Sequence, residues 1–164
     1  MNKPDAAGGP ANQQALGDAA AAHFATEAQG EPAGPGRFVS VGSIESAELV
    51  AGLGFRPVLG QRMMANFVDF TPGVMAPRHV HEEEQLVIVL DGEMTFDLDG
   101  DVRVMRPGDV AVIPAWVPHA AWTTDSHCAE VDIFCPPRTT LLDLASRQRG
   151  AAEAGPSGAE QEPA

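Results

Sequence analysis

The middle of the chain is a succession of short apolar or alternating runs separated by Gly, Pro and Asp. Residues 93–98 alternate polar and apolar side chains, which is typical of a half-buried strand, and Asp99-Gly100 after them is a strong hairpin signal. Residues 85–90 form a compact apolar run that ends at Asp91-Gly92. We predict strands over residues 63–70, 85–90, 93–98, 102–105, 110–113, 120–124 and 127–134.

Helical periodicity is nearly absent from this region. Residues 44–53 are predicted to form a short helix, with Ser43 or Ser46 as its N-cap, and residues 139–149 a second helix that closes the domain. Many short strands with Gly and Pro between them indicate an all-β sandwich or barrel. An immunoglobulin-like sandwich is the competing architecture, but it gives no reason for the spacing of the histidines.

The two ends of the chain differ in composition from the middle. Residues 1–36 and 148–164 are biased toward Ala, Gly and Pro and carry too few branched or aromatic residues to build a core. We predict that both are disordered tails, with a transient Ala-rich helix over residues 18–28. The chain of 164 residues then holds one folded domain, at residues 37–147.

Charge and cysteine content narrow the functional classes. A net charge of −13 argues against binding to nucleic acid or to an anionic membrane surface. No stretch reaches the length of a transmembrane helix, and the N-terminus lacks the basic and apolar regions of a secretory signal. Two cysteines do not make a disulfide framework. We therefore expect a cytoplasmic protein.

Three histidines and one glutamine stand at the spacing of metal ligands. The residues and the turns that frame them are Gly73-x5-His79-x-His81-x3-Gln85-x6-Gly92, followed by Pro114-x4-His119. Residues two apart in a strand point to the same face, so His79 and His81 aim the same way. Three imidazoles and one oxygen suit a divalent zinc, nickel, iron, manganese or cobalt ion, and four protein ligands leave a position open for substrate. The alternative is that these are ordinary surface or core histidines.

Glu84 is an alternative to Gln85 as the fourth metal ligand, although it lies one residue closer to His81 than the pattern allows. We expect Glu82, Glu83 and Glu84 to form a solvated acidic loop instead, since runs of carboxylates usually stay in water.

The same residues resemble a small single-domain cupin over residues 38–144. The first cupin motif is G-x5-H-x-H-x3,4-E-x6-G, with Gln85 here where Glu is usual, and the second is G-x5-P-x-G-x2-H-x3-N, with Trp116 in place of Gly and Thr123 in place of Asn. The resemblance implies a β-barrel of the double-stranded β-helix (jelly-roll) type with metal bound inside, and a homodimer. A neutral glutamine leaves the ion its full charge, which favours non-redox Lewis-acid chemistry.

Residues 128–134 alternate so that Cys128, Glu130, Asp132 and Phe134 share one face. Asp132 is a candidate general acid or base and Arg138 a candidate ligand for a substrate carboxylate, while a structural ion pair between the two is an equal alternative. The sequence Asp-x-Phe-x-Pro-Pro-Arg is similar to the pectin-degradation cupins that linearise unsaturated monouronates. That resemblance implies that Asp132 and Arg138 are the catalytic pair and that Phe134 lines the pocket.

Trp116, three residues before His119, either stacks on a substrate ring or packs against the barrel. The leading hypothesis is a metal-dependent isomerase, lyase or cyclase that acts on a small oxygen-rich molecule such as an unsaturated uronate. The alternatives are an aromatic polyketide cyclase, an iron-dependent dioxygenase and a cupin that binds a ligand without turnover.

Overall fold

The structure is a computed structural model, and it describes residues 30–154. The chain divides into two compact units between Phe38 and Val39. The described part of the first unit, residues 30–38, contains neither helix nor strand. Residues 1–29 and 155–164 lie outside the described residues, and with them most of the two predicted tails and the predicted helix at residues 18–28.

The described part of the second unit consists of ten strands and one α-helix, preceded by a 3-10 turn at Val41–Ser43. In chain order these are β1 (Ala47–Val50), β2 (Leu53–Leu59), β3 (Met64–Phe70), β4 (Met75–His79), β5 (Glu84–Gly92), β6 (Met94–Leu98), β7 (Asp101–Met105), β8 (Val110–Ile113), β9 (His119–Trp122), β10 (Cys128–Cys135) and α1 (Thr139–Ala154). No helix among these residues is long and apolar enough to cross a bilayer.

The strands form two antiparallel sheets. The larger sheet has the order β1-β2-β3-β10-β5-β8, and the smaller one has the order β4-β9-β6-β7. The predicted all-β cupin fold is confirmed, with the strands where alternation placed them. The core lies between the sheets, because the alternate residues that face inward are apolar, as in Met64, Val68 and Phe70 of β3 and Met94 and Phe96 of β6.

The predicted helix at residues 44–53 is wrong, because this segment forms β1, a turn and the start of β2. Gly52 has a φ of +82° in that turn, and Ala47 lies opposite Phe55 in the hairpin. The hairpin buries Ala47, Leu53 and Phe55 in the core. Strands β2 and β4 were not predicted either, because Pro57 in β2 and Pro77 in β4 weaken the strand signal.

Helix α1 begins where it was predicted but runs to Ala154, so residues 150–154, which were predicted to be disordered, are helical. Alanine is the best helix former, which accounts for the extension. Leu141 and Ala145 anchor α1 in the core. Farther along, the Gln148 amide donates to the carbonyl of Glu48 at 2.7 Å and accepts from the Glu48 N–H at 2.8 Å, which ties the helix to β1.

Two positions of the cupin motifs, Gly92 and Thr123, fix turns that connect the strands. Gly92 has a φ of +72°, and a Cβ there would lie 2.0 Å from the carbonyl oxygen of His127, so only glycine fits. The hydroxyl of Thr123 donates to the carbonyl of Thr71 at 2.6 Å and accepts from the N–H of Val74 at 3.2 Å. Thr123 thereby fixes the turn that leads into β4 and His79.

Candidate metal centre and its cavity

The three predicted histidines converge between the two sheets. His79 and His119 lie opposite each other on β4 and β9, with ring centroids 4.2 Å apart. His81 follows the end of β4, and its ring centroid is 5.0 Å from that of His119. One nitrogen from each ring lies within 4.8 Å of the other two, so a single ion can contact all three.

Each imidazole is oriented by a backbone carbonyl two residues away. Nδ1 of His79 donates to the Pro77 oxygen at 2.8 Å, and Nδ1 of His119 donates to the Val117 oxygen at 2.9 Å. Nδ1 of His81 donates to the Glu83 oxygen at 2.9 Å. Because a carbonyl only accepts, each Nδ1 carries the proton and each Nε2 presents a lone pair.

Burial lowers the pKa of all three histidines, and that of His119 falls to about 4. The rings are therefore neutral at physiological pH, which is the form that binds metal. Nε2 of His119 is buried and has no hydrogen-bond partner among the described residues. An orphaned buried acceptor costs about 1–3 kcal/mol, and a bound cation removes that cost.

Gln85 completes the ligand set. Its Oε1 lies 2.9 Å from Nε2 of His81, and both atoms are acceptors, so they repel each other unless a cation lies between them. Two atoms bound at right angles to one divalent ion at about 2.1 Å lie about 3 Å apart, so the observed distance fits shared coordination. The residues present thus fit a divalent metal ion.

Asp132 fixes the direction of the Gln85 amide. Nε2 of Gln85 donates to Oδ1 of Asp132 at 2.6 Å, which leaves Oε1 facing the histidines. Asp132 also accepts from Nδ2 of Asn66 through Oδ2, at 3.5 Å. Gln85 and Asp132 belong to neighbouring strands, β5 and β10, so the larger sheet supplies the oxygen ligand and its support.

A cavity of about 70 Å³ adjoins His79, His119 and Gln85. One water molecule needs about 10–15 Å³, so the cavity holds a small ligand. Three of the residues predicted to share one face of β10, Glu130, Asp132 and Phe134, are buried and line the cavity.

Arg138, just beyond β10, also lines the cavity and lies over Phe134, with its guanidinium carbon 5.7 Å from the ring centroid. No carboxylate of residues 30–154 forms an ion pair with Arg138, so the structural ion pair with Asp132 is not formed.

Two carboxyl groups lie side by side on the inner face of β10. Burial raises the pKa of Glu130 well above its usual range and also raises the pKa of Asp132. Their mutual repulsion prevents both from being charged. Amide donors stabilise the charge on Asp132, whereas Glu130 receives no hydrogen bond from the described residues. The first proton of the pair therefore resides on Glu130.

Comparison with known proteins accords with this geometry. The cupin domain family model matches residues 66–134, which include all four candidate ligands. The domain has the cupin fold. Among solved structures, it is similar to KdgF from Halomonas sp., with 27% identity and a TM-score of 0.62 over 65% of this chain and 99% of that one.

Two further similarities cover less of either chain. The polyketide cyclase RemF from Streptomyces resistomycificus is 22% identical, with a TM-score of 0.56 over 62% of this chain and 80% of that one, and shares the fold. The cupin-domain-containing oxidoreductase fogC from Aspergillus ruber is 40% identical over 50 residues, which are 30% of this chain. The chain spans only 25% of the length of that relative.

Trp116 is not among the residues that line the cavity, and it is 63% exposed. Its φ of +66° explains why glycine is usual at this motif position. The backbone N–H of Trp116 donates to the carbonyl of His81 at 2.8 Å, so the main chain of the second motif holds the His81 loop.

The acidic loop is only partly solvated. Glu82 and Glu84 are exposed as expected, but Glu83 is buried. Its carboxylate lies 3.4 Å from Nδ1 of His81, and its charge also faces Arg138. Three consecutive glutamates look alike in the sequence, which gives no sign that Glu83 turns inward.

Asn66 is a site residue that the sequence analysis did not identify. It lies opposite Asp132 on β3 and is 1% exposed. The available signal was a polar residue at an inward position, flanked two residues away on either side by the apolar Met64 and Val68.

Proposed function

We propose that this cupin is a metal-dependent enzyme that acts without redox change on a compact, oxygen-rich acid such as an unsaturated uronate. The observation that carries the proposal is the double role of the Gln85 amide. Its oxygen faces the histidine cluster, and its nitrogen donates to Asp132 at 2.6 Å. A candidate acid or base is thus joined to the metal site through a neutral ligand.

A divalent ion held by His79, His81, Gln85 and His119 would supply Lewis-acid polarisation of a substrate carbonyl or hydroxyl. Because all four side chains are neutral, they leave the charge of such an ion undiminished. This supports isomerisation, ring opening or cyclisation over the iron-dependent oxygenation that was the alternative.

Arg138 is the group that would bind the substrate carboxylate. Arg138 lines the cavity, its guanidinium lies over the Phe134 ring, and it forms no ion pair with the described residues. A planar guanidinium binds a carboxylate through two parallel hydrogen bonds, which would orient the substrate as well as hold it. Burial lowers the pKa of Arg138. A guanidinium group ordinarily titrates so far above neutral pH that Arg138 stays charged there.

Asp132 is the group that would move a proton. Oδ1 is engaged by Gln85, while Oδ2 has only the long 3.5 Å contact from Asn66. Burial raises the pKa of the Asp132 carboxyl toward neutrality, where a general acid or base is most effective. The proton would therefore be held or released at Oδ2.

Two further considerations support a compact acid as substrate. The segment from Asp132 to Arg138 resembles the pectin-degradation cupins, and the cavity of about 70 Å³ suits a single ring better than an extended polyketide chain. Phe134 forms one wall of that cavity. The homodimer and the place of Trp116 in substrate binding stay predictions.

The test is turnover of unsaturated monouronates by full-length protein loaded in turn with zinc, nickel, manganese, iron or cobalt. We expect loss of the ultraviolet absorbance of the conjugated double bond under nitrogen, abolished by a chelator and by Arg138→Ala. Turnover that consumes oxygen would point to the dioxygenase instead. Absence of turnover with every metal, while the uronate still binds, would favour the ligand-binding role.

A further inference from the structure

Two buried polar atoms of the cavity remain without a partner once the metal ligands are accounted for. They are Oδ1 of Asn66 and Oε2 of Glu130, both inaccessible to solvent and without a hydrogen bond among the described residues. Asn66 is 1% exposed and Glu130 is 5% exposed, and both line the cavity together with His79 and His119. Buried polar groups normally have partners, so this pair indicates a ligand that is polar at this point.

The pairing of β3 with β10 places the two side chains together. Asn66 lies opposite Asp132 and Val68 lies opposite Glu130, so Asn66 and Glu130 are diagonal neighbours on the inner face of the larger sheet. The cavity surface around them includes the apolar side chains of Val68, Val87 and Phe96. Apolar neighbours cannot satisfy either atom, so a partner must enter the cavity.

The two atoms offer complementary hydrogen-bonding chemistry. The amide nitrogen of Asn66 is directed to Asp132, so Oδ1 is left as an acceptor. Glu130 is the member of the carboxyl pair that keeps its proton, since burial and the Asp132 charge raise its pKa. It therefore offers an O–H donor. A hydroxyl group, which both donates and accepts, satisfies both at once.

We propose that Asn66 and Glu130 bind a hydroxyl group of the substrate, as a recognition point separate from the metal ligands and from Arg138. This role rests on the small-molecule function proposed above and narrows it to a polyhydroxylated acid. Arg138 selects the carboxylate, and the pair formed by Asn66 and Glu130 selects for a ring that carries hydroxyl groups.

The burial of Glu130 without a partner also predicts how its replacement changes the stability of the protein. A carboxyl group kept for ligand binding lowers the stability of the ligand-free protein, so its replacement by the similarly sized Met should raise the stability. We expect Glu130→Met to raise Tm by roughly several degrees. A merely structural carboxyl would give the opposite sign. Glu45→Gln, which removes an exposed carboxylate, serves as the control and should leave Tm unchanged.

Calorimetric titration of the zinc-loaded, full-length protein tests recognition directly. The probes are D-galacturonate, D-galactose and tetrahydropyran-2-carboxylate, which keeps the ring and carboxylate but has no hydroxyl groups. We expect the wild-type protein to bind galacturonate about tenfold more tightly than tetrahydropyran-2-carboxylate. Glu130→Met should reduce that preference to about twofold or less, whereas Glu130→Gln, which still donates and accepts, should retain most of it.

The outcomes separate this inference from the proposed function. Equal binding of the two carboxylates by the wild-type protein, or no binding of either, overturns hydroxyl recognition. An unchanged preference in Glu130→Met, or a fall in its Tm, overturns it as well. The carboxylate role is judged by Arg138→Ala, which should abolish the preference for galacturonate over galactose. If that preference persists, the proposed function fails while the role of Glu130 stands on its own result.

Discussion

The Gln85 amide donates to the Asp132 carboxylate at 2.6 Å and thereby turns its oxygen toward the three histidines. The orientation of an amide group depends on what surrounds it, because its two ends are nearly equal in size and opposite in hydrogen-bonding role. Asp132 accepts only, so it selects the nitrogen end. The carboxylate that is the candidate acid or base is thus also the residue that prepares the oxygen ligand.

Replacement of Asp132 should separate these two roles. Asp132→Asn keeps an oxygen that accepts from Gln85 but loses the acid or base, so we expect nearly normal zinc affinity and little activity. Asp132→Leu loses both, and its zinc affinity should fall about 10–100-fold, as is typical when the support of a ligand is removed. Competition with a chromophoric chelator measures both affinities. Equal affinities for the two variants would show that Asp132 does not orient Gln85.

A carboxylate at position 85 should behave differently with and without metal. Gln85→Glu places a second acceptor against Asp132, so the metal-free variant should have a lower Tm than the wild-type protein. With zinc bound, Gln85→Glu should have a higher Tm than the wild-type protein, because a charged ligand binds the ion more tightly. Its kcat should fall, because the ion becomes a weaker Lewis acid.

The double variant Gln85→Glu/Asp132→Asn supplies the control for this prediction. The amide introduced at position 132 can donate to the carboxylate introduced at position 85, so the Tm of the metal-free protein should return toward that of the wild type. Additive effects of the two substitutions would contradict direct coupling between the side chains.

The sequence was sufficient to predict the strands whose alternation is regular, such as β6, and to place the three histidines together. It was insufficient where a local pattern is ambiguous. Residues 44–53 read equally well as a short helix, and it is the pairing of β2 with both β1 and β3 that makes this segment part of a sheet. The contact between Asn66 and Asp132 also depends on the pairing of strands. The two residues are 66 positions apart in the chain, and the register of β3 with β10 brings them together.

His119 and His127 offer a matched comparison for the metal site. His119 is buried, and its Nε2 has no partner within the described part of the chain, whereas His127 is exposed and pairs with Asp91. We expect His119→Ala to reduce the zinc content to near zero and to abolish the rise in Tm on zinc addition. His127→Ala should keep both. Elemental analysis after gel filtration measures the content, and zinc retained by His119→Ala would remove this residue from the ligand set.

Trp116 tests whether the second motif acts through its backbone. A φ of +66° costs a residue with a Cβ about 1–2 kcal/mol, and glycine avoids that strain. Trp116→Gly should therefore have a Tm a few degrees above that of Trp116→Ala, which keeps the strain and loses the same side chain. Both variants retain the N–H that donates to the His81 carbonyl, so zinc affinity should stay within about twofold of the wild type. Loss of zinc in both variants would show that the indole itself, and not the main chain, holds the His81 loop.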